Sequence, residues 1–274
     1  AVTPENPVWI TRLDGHMALA NSRALAIAGV TADTEDVNGG TIVRNADGTP
    51  TGVLKDNAMD LVARAVPAPS PAQLDRMLEA AMTHVAAQGV TTVHDMADFD
   101  SLATYRRAHA RSALRTRIRS FVPLASWQRL AEDVDANGRG DAWLATGGLK
   151  GFMDGSLGSH TAAFFEPFTD APEDRGLLVN DPAEVEAWVR AADARGLQVA
   201  VHAIGDRAIS LLLDIYQRVA AEHGPRDRRF RIEHAQHIHP DDVARFADLD
   251  VIPSMQPYHA IDDGRWADKV IGPE

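Results

Sequence analysis

From Ser70 onward the chain alternates between β-branched runs and amphipathic helical runs. The β-rich runs fall at 90–95, 117–122, 147–152, 197–202, 229–234 and 251–256, with a helical run between neighbours. About six β-then-α units in a row are the signature of a parallel sheet wrapped by helices. The expected fold class is therefore α/β, a barrel of the (β/α)8 type. A complete barrel of that kind has eight units, so two are unaccounted for. Helix punctuation agrees with this reading. Ser70-Pro71-Ala72-Gln73 offers an N-cap and a proline at the first helical position, and Leu74, Met77, Leu78, Ala81, Met82 and Val85 then share one face. Asp181-Pro182-Ala183-Glu184 opens another helix in the same way, after a long polar loop at 154–180.

Residues 1–70 lack this repeat. A helix is expected at 19–28 with Gly29 as its stop, a hairpin at 40–44 and 51–54 around Asp47-Gly48, and a short helix at 57–66 before a Pro-rich exit. The expected organisation is an α+β insertion subdomain at 1–70 and a partial barrel at 71–274. The chain starts at Ala1 without Met and stops abruptly at Glu274, which suggests a fragment lacking both ends of its parent.

Charge and composition narrow the function classes. The net charge of −12 provides no electrostatic footprint for nucleic acid. The arginines between Arg106 and Arg119 recur along a helix and the strand after it, as on a solvated face. With no cysteine, disulfides, thiolate zinc sites and cysteine nucleophiles are all excluded. Any metal must sit on His, Asp, Glu or a modified Lys. No apolar run reaches the length of a membrane span, and no signal peptide is evident, so a cytoplasmic location is expected. The expected partner is a small-molecule substrate, with neither nucleic acid nor membrane. A homo-oligomer formed through exposed strand edges is also expected.

The chemistry collects where strands end. His94, His202, His234 and His259 lie at or just past strand ends, and Lys150 lies at an equivalent place. In a β/α barrel that rim carries the active site, and neutral imidazoles are good transition-metal ligands. Each residue also has a plainer role open to it. Lys150 is equally an ordinary strand-end lysine, and His94 a structural rim residue. Asp14 and His16 are either pocket contacts or caps. Asp154 begins a Gly/Ser-rich loop that either lines the pocket or only turns the chain. Gln256 and His259, past the last strand, are candidate substrate contacts.

Several longer motifs stand beside these residues. They are Arg12-Leu13-Asp14-Gly15-His16-Met17-Ala18-Leu19-Ala20-Asn21-Ser22, Gly52-Val53-Leu54-Lys55-Asp56, Gly89-Val90-Thr91-Thr92-Val93-His94-Asp95 and Lys150-Gly151-Phe152-Met153-Asp154-Gly155-Ser156-Leu157-Gly158-Ser159. Val201-His202-Ala203-Ile204-Gly205-Asp206 and Ile232-Glu233-His234-Ala235-Gln236 complete the set. Together they resemble the YtcJ-like branch of the amidohydrolase superfamily, the group that includes N-substituted formamide deformylases. The resemblance runs from Arg12 to about Trp266.

That resemblance implies a distorted barrel with a one- or two-metal centre at its C-terminal rim. His202 matches the fifth-strand ligand, His234 the sixth-strand ligand, and Lys150 the bridging residue of the fourth strand, carboxylated if it bridges two metals. The metal implied is divalent, zinc above others. His16, Asp14, Asp154, Gln256 and His259 remain candidate substrate contacts on the residues' own chemistry. The strands present then count as the second to the seventh. The family's first-strand His-x-His and eighth-strand aspartate have no counterpart here, so the isolated chain is expected to be inactive. The implied chemistry is hydrolysis of a C–N bond in an amide or formamide-type molecule. The alternatives are a metal-dependent deaminase, against which the absence of Glu in His202-Ala203-Ile204-Gly205 counts, and a non-catalytic barrel fragment.

Overall fold

The computed structural model describes residues 3–273. Its first sheet is antiparallel, in the order β1-β2-β4-β3, built from β1 (Trp9–Thr11), β2 (Met17–Ala20), β3 (Gly40–Arg44) and β4 (Pro50–Asp56). The expected hairpin forms: β3 pairs with β4, and the Thr49 amide donates to Asp47 Oδ1 in the turn at 3.0 Å. The helix expected at 19–28 begins later. Asn21 accepts from the Ala24 amide and so caps α1 (Ser22–Ala28), which leaves Leu19 and Ala20 to β2. The run at 57–66 is likewise shorter, a 3-10 turn at Asn57–Met59 followed by α2 (Asp60–Ala63). Leu25, Ile42, Leu54, Ala58 and Val62 form the core of this region.

A second sheet holds six strands in the order β10-β9-β8-β7-β6-β5, and every neighbouring pair is parallel. Its first half runs α3 (Pro71–Ala87), β5 (Thr92–Met96), α4 (Phe99–Ala110), β6 (Arg117–Pro123), α5 (Trp127–Asn137) and β7 (Leu144–Phe152). The second half runs α6 (Pro182–Ala194), β8 (Gln198–Ala203), α7 (Asp206–His223), β9 (Arg231–His234), α8 (Val243–Asp248) and β10 (Ile252–Ser254). All six expected strands are present, displaced at their ends by up to three residues. The strand face turned to the helices supplies the main core: Leu149, Val199, Val201 and Ile232 pack with Leu212, Leu213 and Tyr216 of α7.

The sheet curls into a half-barrel. In a flat sheet, four strand spacings of about 4.8 Å would separate β5 from β9 by roughly 19 Å. Yet Arg231 on β9 bonds His94 on β5 at 2.6 Å, and its guanidinium lies 5.4 Å from the Phe121 ring of β6. Only strong curvature brings these side chains together across the concave face. That face encloses a cavity of 640 Å³ bordered by His94, Arg119, Phe121, Gln198, Arg231 and Ser254. Curling leaves β5 and β10 with one strand partner each. Beside β5, the apolar stripe expected on α3 is only partly covered: Met82 is buried, but Met77 is 58% exposed.

The segment at 154–180, expected as a long polar loop, is largely interior. Asp154, Ser156, Ser159 and Thr161 are buried, and Leu157, Ala162, Phe164 and Phe168 pack against Ile204 and Val270. Its polar side chains bond one another instead of water. Ser159 Oγ lies 2.8 Å from Ser156 Oγ and 2.6 Å from Thr161 Oγ1. This satisfied network lets polar residues occupy the interior over the C-terminal ends of the strands.

Candidate active site

The parallel register lines up the strand ends. Phe152 of β7 pairs with His202 of β8, and Ala203 pairs with His234 of β9. His202 and His234 therefore meet, with ring centres 4.7 Å apart. Two further imidazoles extend the row. His16, just ahead of β2, has its ring centre 4.6 Å from that of His202, and His259 stacks on His234 at 5.7 Å. Of the expected rim, His202, His234 and His259 are thus brought together, joined by the candidate contact His16.

Hydrogen bonds assign a proton and a lone pair to the two strand histidines. His202 Nε2 lies 2.7 Å from the Gly155 carbonyl, which can only accept, so Nε2 carries the proton and Nδ1 the lone pair. His234 Nδ1 faces Gln256 Oε1 at 2.8 Å, while the Gln256 amide nitrogen donates to the Ser254 carbonyl at 3.4 Å. This arrangement places the lone pair of His234 on Nε2. Burial holds both rings neutral. It drives His202 well below the ordinary imidazole value, with Lys150 and His16 adding to the effect. It lowers His234 to about 4 against the opposing pull of Gln256. His234 and Ala235 both have positive φ, 74° and 44°. Such backbone is costly for residues with a Cβ and concentrates at functional sites.

Lys150 is buried, with Nζ donating to the Gly151 carbonyl at 3.0 Å and lying 3.8 Å from the Phe152 ring centre. Desolvation pulls its amine down to about 7, while Glu233 and Asp154 pull it upward. A lysine in that state offers a neutral nitrogen near physiological pH.

Two of the expected substrate contacts, Asp154 and Asp14, are engaged within the protein, and His94 stands away from the strand-end histidines. Asp154 is fully buried, and its oxygens are taken by backbone amides: Oδ1 by Ile204 at 3.0 Å, Oδ2 by Ala163 at 2.9 Å and Gly205 at 2.8 Å. It ties the loop to the end of β8 and leaves no exposed oxygen for a substrate. Burial raises its carboxyl to about 7 against the pull of those amides. Asp154→Ala would leave three buried N–H groups unpaired, each worth about 1–3 kcal/mol. The expected result is a loss of about 3 kcal/mol, read as a lower midpoint in urea unfolding; an unchanged midpoint would refute the anchoring role. Asp14 is also engaged, accepting from Ser156 Oγ at 2.7 Å and from the His16 amide at 3.2 Å. His94 leaves the rim altogether. It lies within β5, bonded to Arg231 inside the curl, because its strand side points to the concave face.

Gln256 and His259 keep a place beside His234. With Met255, Pro257 and Ala260 they border a cavity of 420 Å³ that opens on that ring. Sequence reasoning assigned no role to Asp56, although Gly52-Val53-Leu54-Lys55-Asp56 was one of its motifs. Asp56 Oδ1 bonds His16 Nδ1 at 2.6 Å. Arg231 and Glu233 were also passed over; they pair at 2.9 Å inside the curl. The His16–Asp56 contact joins segments 40 positions apart, beyond any spacing rule, whereas Arg231 and Glu233 stand two apart on one face of β9.

As donors, two neutral imidazoles with fixed proton-bearing nitrogens and one deprotonatable amine suit a divalent metal. Among the described residues, no three His, Asp or Glu side chains stand close enough together to hold an ion. A family model described as amidohydrolase family matches residues 1–274. The chain belongs to the amidohydrolase family.

Within that family it is YtcJ-like. It is 32% identical to the putative amidohydrolase YtcJ of Bacillus subtilis (strain 168), over 96% of this chain and 50% of that protein. It is 44% identical to the protein LONG AFTER FAR-RED 3 of Arabidopsis thaliana, over 100% of this chain and 49% of that one. The N-substituted formamide deformylase of Arthrobacter pascens is 29% identical over 91% of this chain and 48% of its own length. The fold is similar to the crystal structure of an uncharacterized metal-dependent hydrolase from Pyrococcus horikoshii OT3. That likeness has a TM-score of 0.75 at 26% identity, covering 98% of this chain and 52% of that one. The chain therefore spans about half the length of the curated relatives it matches.

Proposed function

We propose that the full-length protein is a metal-dependent amidohydrolase that cleaves a C–N bond of a small amide or formamide-type molecule. The observation that carries the proposal is the pair of strand-end imidazoles, His202 and His234, both held neutral by burial, with the low-pKa amine of Lys150 on the neighbouring strand. His202 through Nδ1, His234 through Nε2 and Lys150 would hold the metal, zinc above others. The remaining donors would come from the part of the relatives' length that this chain does not span. When bound, the metal would polarise the scissile carbonyl and make water nucleophilic near neutral pH. In this reading the six-stranded half-barrel is the second-to-seventh-strand part of a (β/α)8 barrel.

This chain's own residues would do the rest. Gly155 and Gln256 fix the His202 and His234 rings, so neither has to reorganise as charge develops. The 420 Å³ cavity beside His234 would receive the substrate's substituent against Met255, Pro257 and Ala260. The printed activity of the Arthrobacter pascens relative supports the formamide-type bond. The deciding experiment is a screen of the full-length protein over N-acyl and N-formyl amines, with and without a chelator. Chelator-sensitive release of amine is the expected result, and a metal-free protein with no amide hydrolysis would end the proposal.

Two edge strands with unpaired backbone groups also support self-association of the isolated chain. Sedimentation of the 274-residue chain is expected to show concentration-dependent oligomers. A single monomeric species at all concentrations would contradict this.

A further inference from the structure

The N-terminal ends of the strands carry a second polar feature, away from the histidines. A cavity of 260 Å³ lies there between the turn before β7, the start of β8 and the turn before β9. Four arginines border it, Arg139, Arg226, Arg228 and Arg229, against one acid, Asp227. Gln198 of β8 borders it as well, four residues before His202, so the two features stand roughly 13 Å apart along the strand. The chain as a whole has a net charge of −12, so composition does not account for this excess of cations. Charge on a solvated face spreads outward. These four side chains come from two separate turns and converge on one concavity.

Each guanidinium is held in place and keeps donors to spare. Arg139 Nη2 donates to the Gly196 carbonyl at 2.9 Å, and among the described residues this arginine has no carboxylate partner. Gly147 makes room for it, since a Cβ there would collide with Nη1. Arg228, with a side chain only 8% exposed, donates from Nε to Asp193 at 3.1 Å and from Nη2 to the Gly224 carbonyl at 2.6 Å. Arg226 bonds the same buried Asp193. Arg229 donates from Nε to Asp227 at 3.0 Å, and its backbone has φ 52°. Glycine would hold that turn at lower cost, so the conformation gives no reason for an arginine. Among the described residues, Nη1 of all four arginines has no hydrogen-bond partner.

The charges do not balance within the cluster. Four guanidiniums meet two carboxylates, Asp193 and Asp227, and His223 also draws on Asp193 at 2.7 Å. The neighbouring Arg195 is already matched by Asp135. Two positive charges are left over. A phosphate monoester carries about −1.5 to −2 near pH 7 and three acceptor oxygens, which matches both the excess charge and the spare donors. A carboxylate would leave one charge unmatched. The cavity is smaller than the roughly 300–1,000 Å³ of pockets for larger organic ligands, which favours a small phosphate over a nucleotide.

We propose that this cavity binds a phosphate group, as the free ion or on a small monoester, at the opposite end of the strands from the histidines. Arg226 and Arg228, locked on Asp193, fix the floor of the site. Arg139 and Arg229 close on the anion through the planar fork that suits phosphate oxygens. The inference is independent of the amide reading.

Calorimetric titration of the chelator-treated full-length protein tests this, the chelator removing any metal that would compete for phosphate. Inorganic phosphate, methyl phosphate and, at matched ionic strength, sodium chloride are the probes. One phosphate per chain with a submillimolar Kd is expected, with no binding heat from chloride and weaker binding as salt rises. Arg139→Gln and Arg229→Gln should each weaken it by at least about tenfold, the worth of one hydrogen bond between charged groups. Tighter binding of methyl phosphate would mark the monoester as the ligand, and equal or weaker binding the free ion. Melting curves accompany both variants, and Arg139→Lys or Arg229→Lys, which keep the charge without the fork, replace any that fails to fold. No phosphate uptake by the parent, or an affinity unchanged in either folded variant, overturns the proposal.

Discussion

His202→Asn in the full-length protein is expected to lower kcat/KM by on the order of 10³-fold, with only a modest change in thermal stability. The ring is the centre of the row, 4.6 Å from His16 and 4.7 Å from His234. Its Nε2–H is committed to Gly155, so the lone pair on Nδ1 is what it offers to chemistry. Loss of one such group from a metal-assisted hydrolase removes several kcal/mol of transition-state stabilisation, and each 1.4 kcal/mol is about tenfold in rate. Asparagine keeps a polar amide of smaller volume in the pocket, which limits the structural damage. Steady-state kinetics beside a melting curve make the test. A variant that keeps activity within tenfold of the parent would remove His202 from the mechanism. One that fails to fold would be replaced by His202→Gln, which keeps more of the ring's volume.

Lys150→Met is expected to act in the opposite direction on stability. Burial holds the Lys150 amine at about 7 in the fold, against 10.5 as its ordinary value. The unfolded chain therefore binds more protons between those two values, and the parent gains stability as pH rises through that window. The penalty for burying the amine is full below pH 7, on the order of 4 kcal/mol, and it is gone above the unfolded value. Methionine has similar length and no charge to desolvate, while it forfeits the bond to the Gly151 carbonyl. The variant should be more stable by a few kcal/mol at pH 7, and the advantage should shrink towards pH 10. Urea unfolding in metal-free, carbonate-depleted buffer at several pH values measures this. A gain independent of pH, or no gain at pH 7, would mean that the amine is not held neutral. Where Lys150 serves as a metal ligand, the same substitution abolishes activity, so stability and function trade against each other at this position.

The strand-end residues were legible because strand and helix periods locate strand ends, and a parallel sheet places all of those ends on one side. His202 and His234 follow from that rule alone. Lys150 does not, since a strand-end lysine reaches solvent as easily as a site, and only the resemblance distinguished the two. His94 shows the limit of the rule. It occupies a similar motif, Val93-His94-Asp95, but side-chain alternation and the position of the strand end turn it towards Arg231 inside the curl. One or two residues along a strand change the level or reverse the face, and sequence boundaries are no sharper than that.

Local chemistry in the sequence determined the six parallel strands, the Ser70 and Asp181 caps and the hairpin at Asp47-Gly48, because each depends on residues within a few positions of one another. Curvature, burial and partner choice depend on segments far apart, and only the tertiary structure decided them. Asp154 could have been a pocket carboxylate until three amides from two segments closed around it. Asp56 carried no signal until folding set it 2.6 Å from His16, 40 positions away. The alternation of strands and helices fixed which side of the sheet would carry chemistry. The low-dielectric interior built above that sheet then set which of its polar groups stay neutral, which are locked in hydrogen bonds, and which remain open to a substrate.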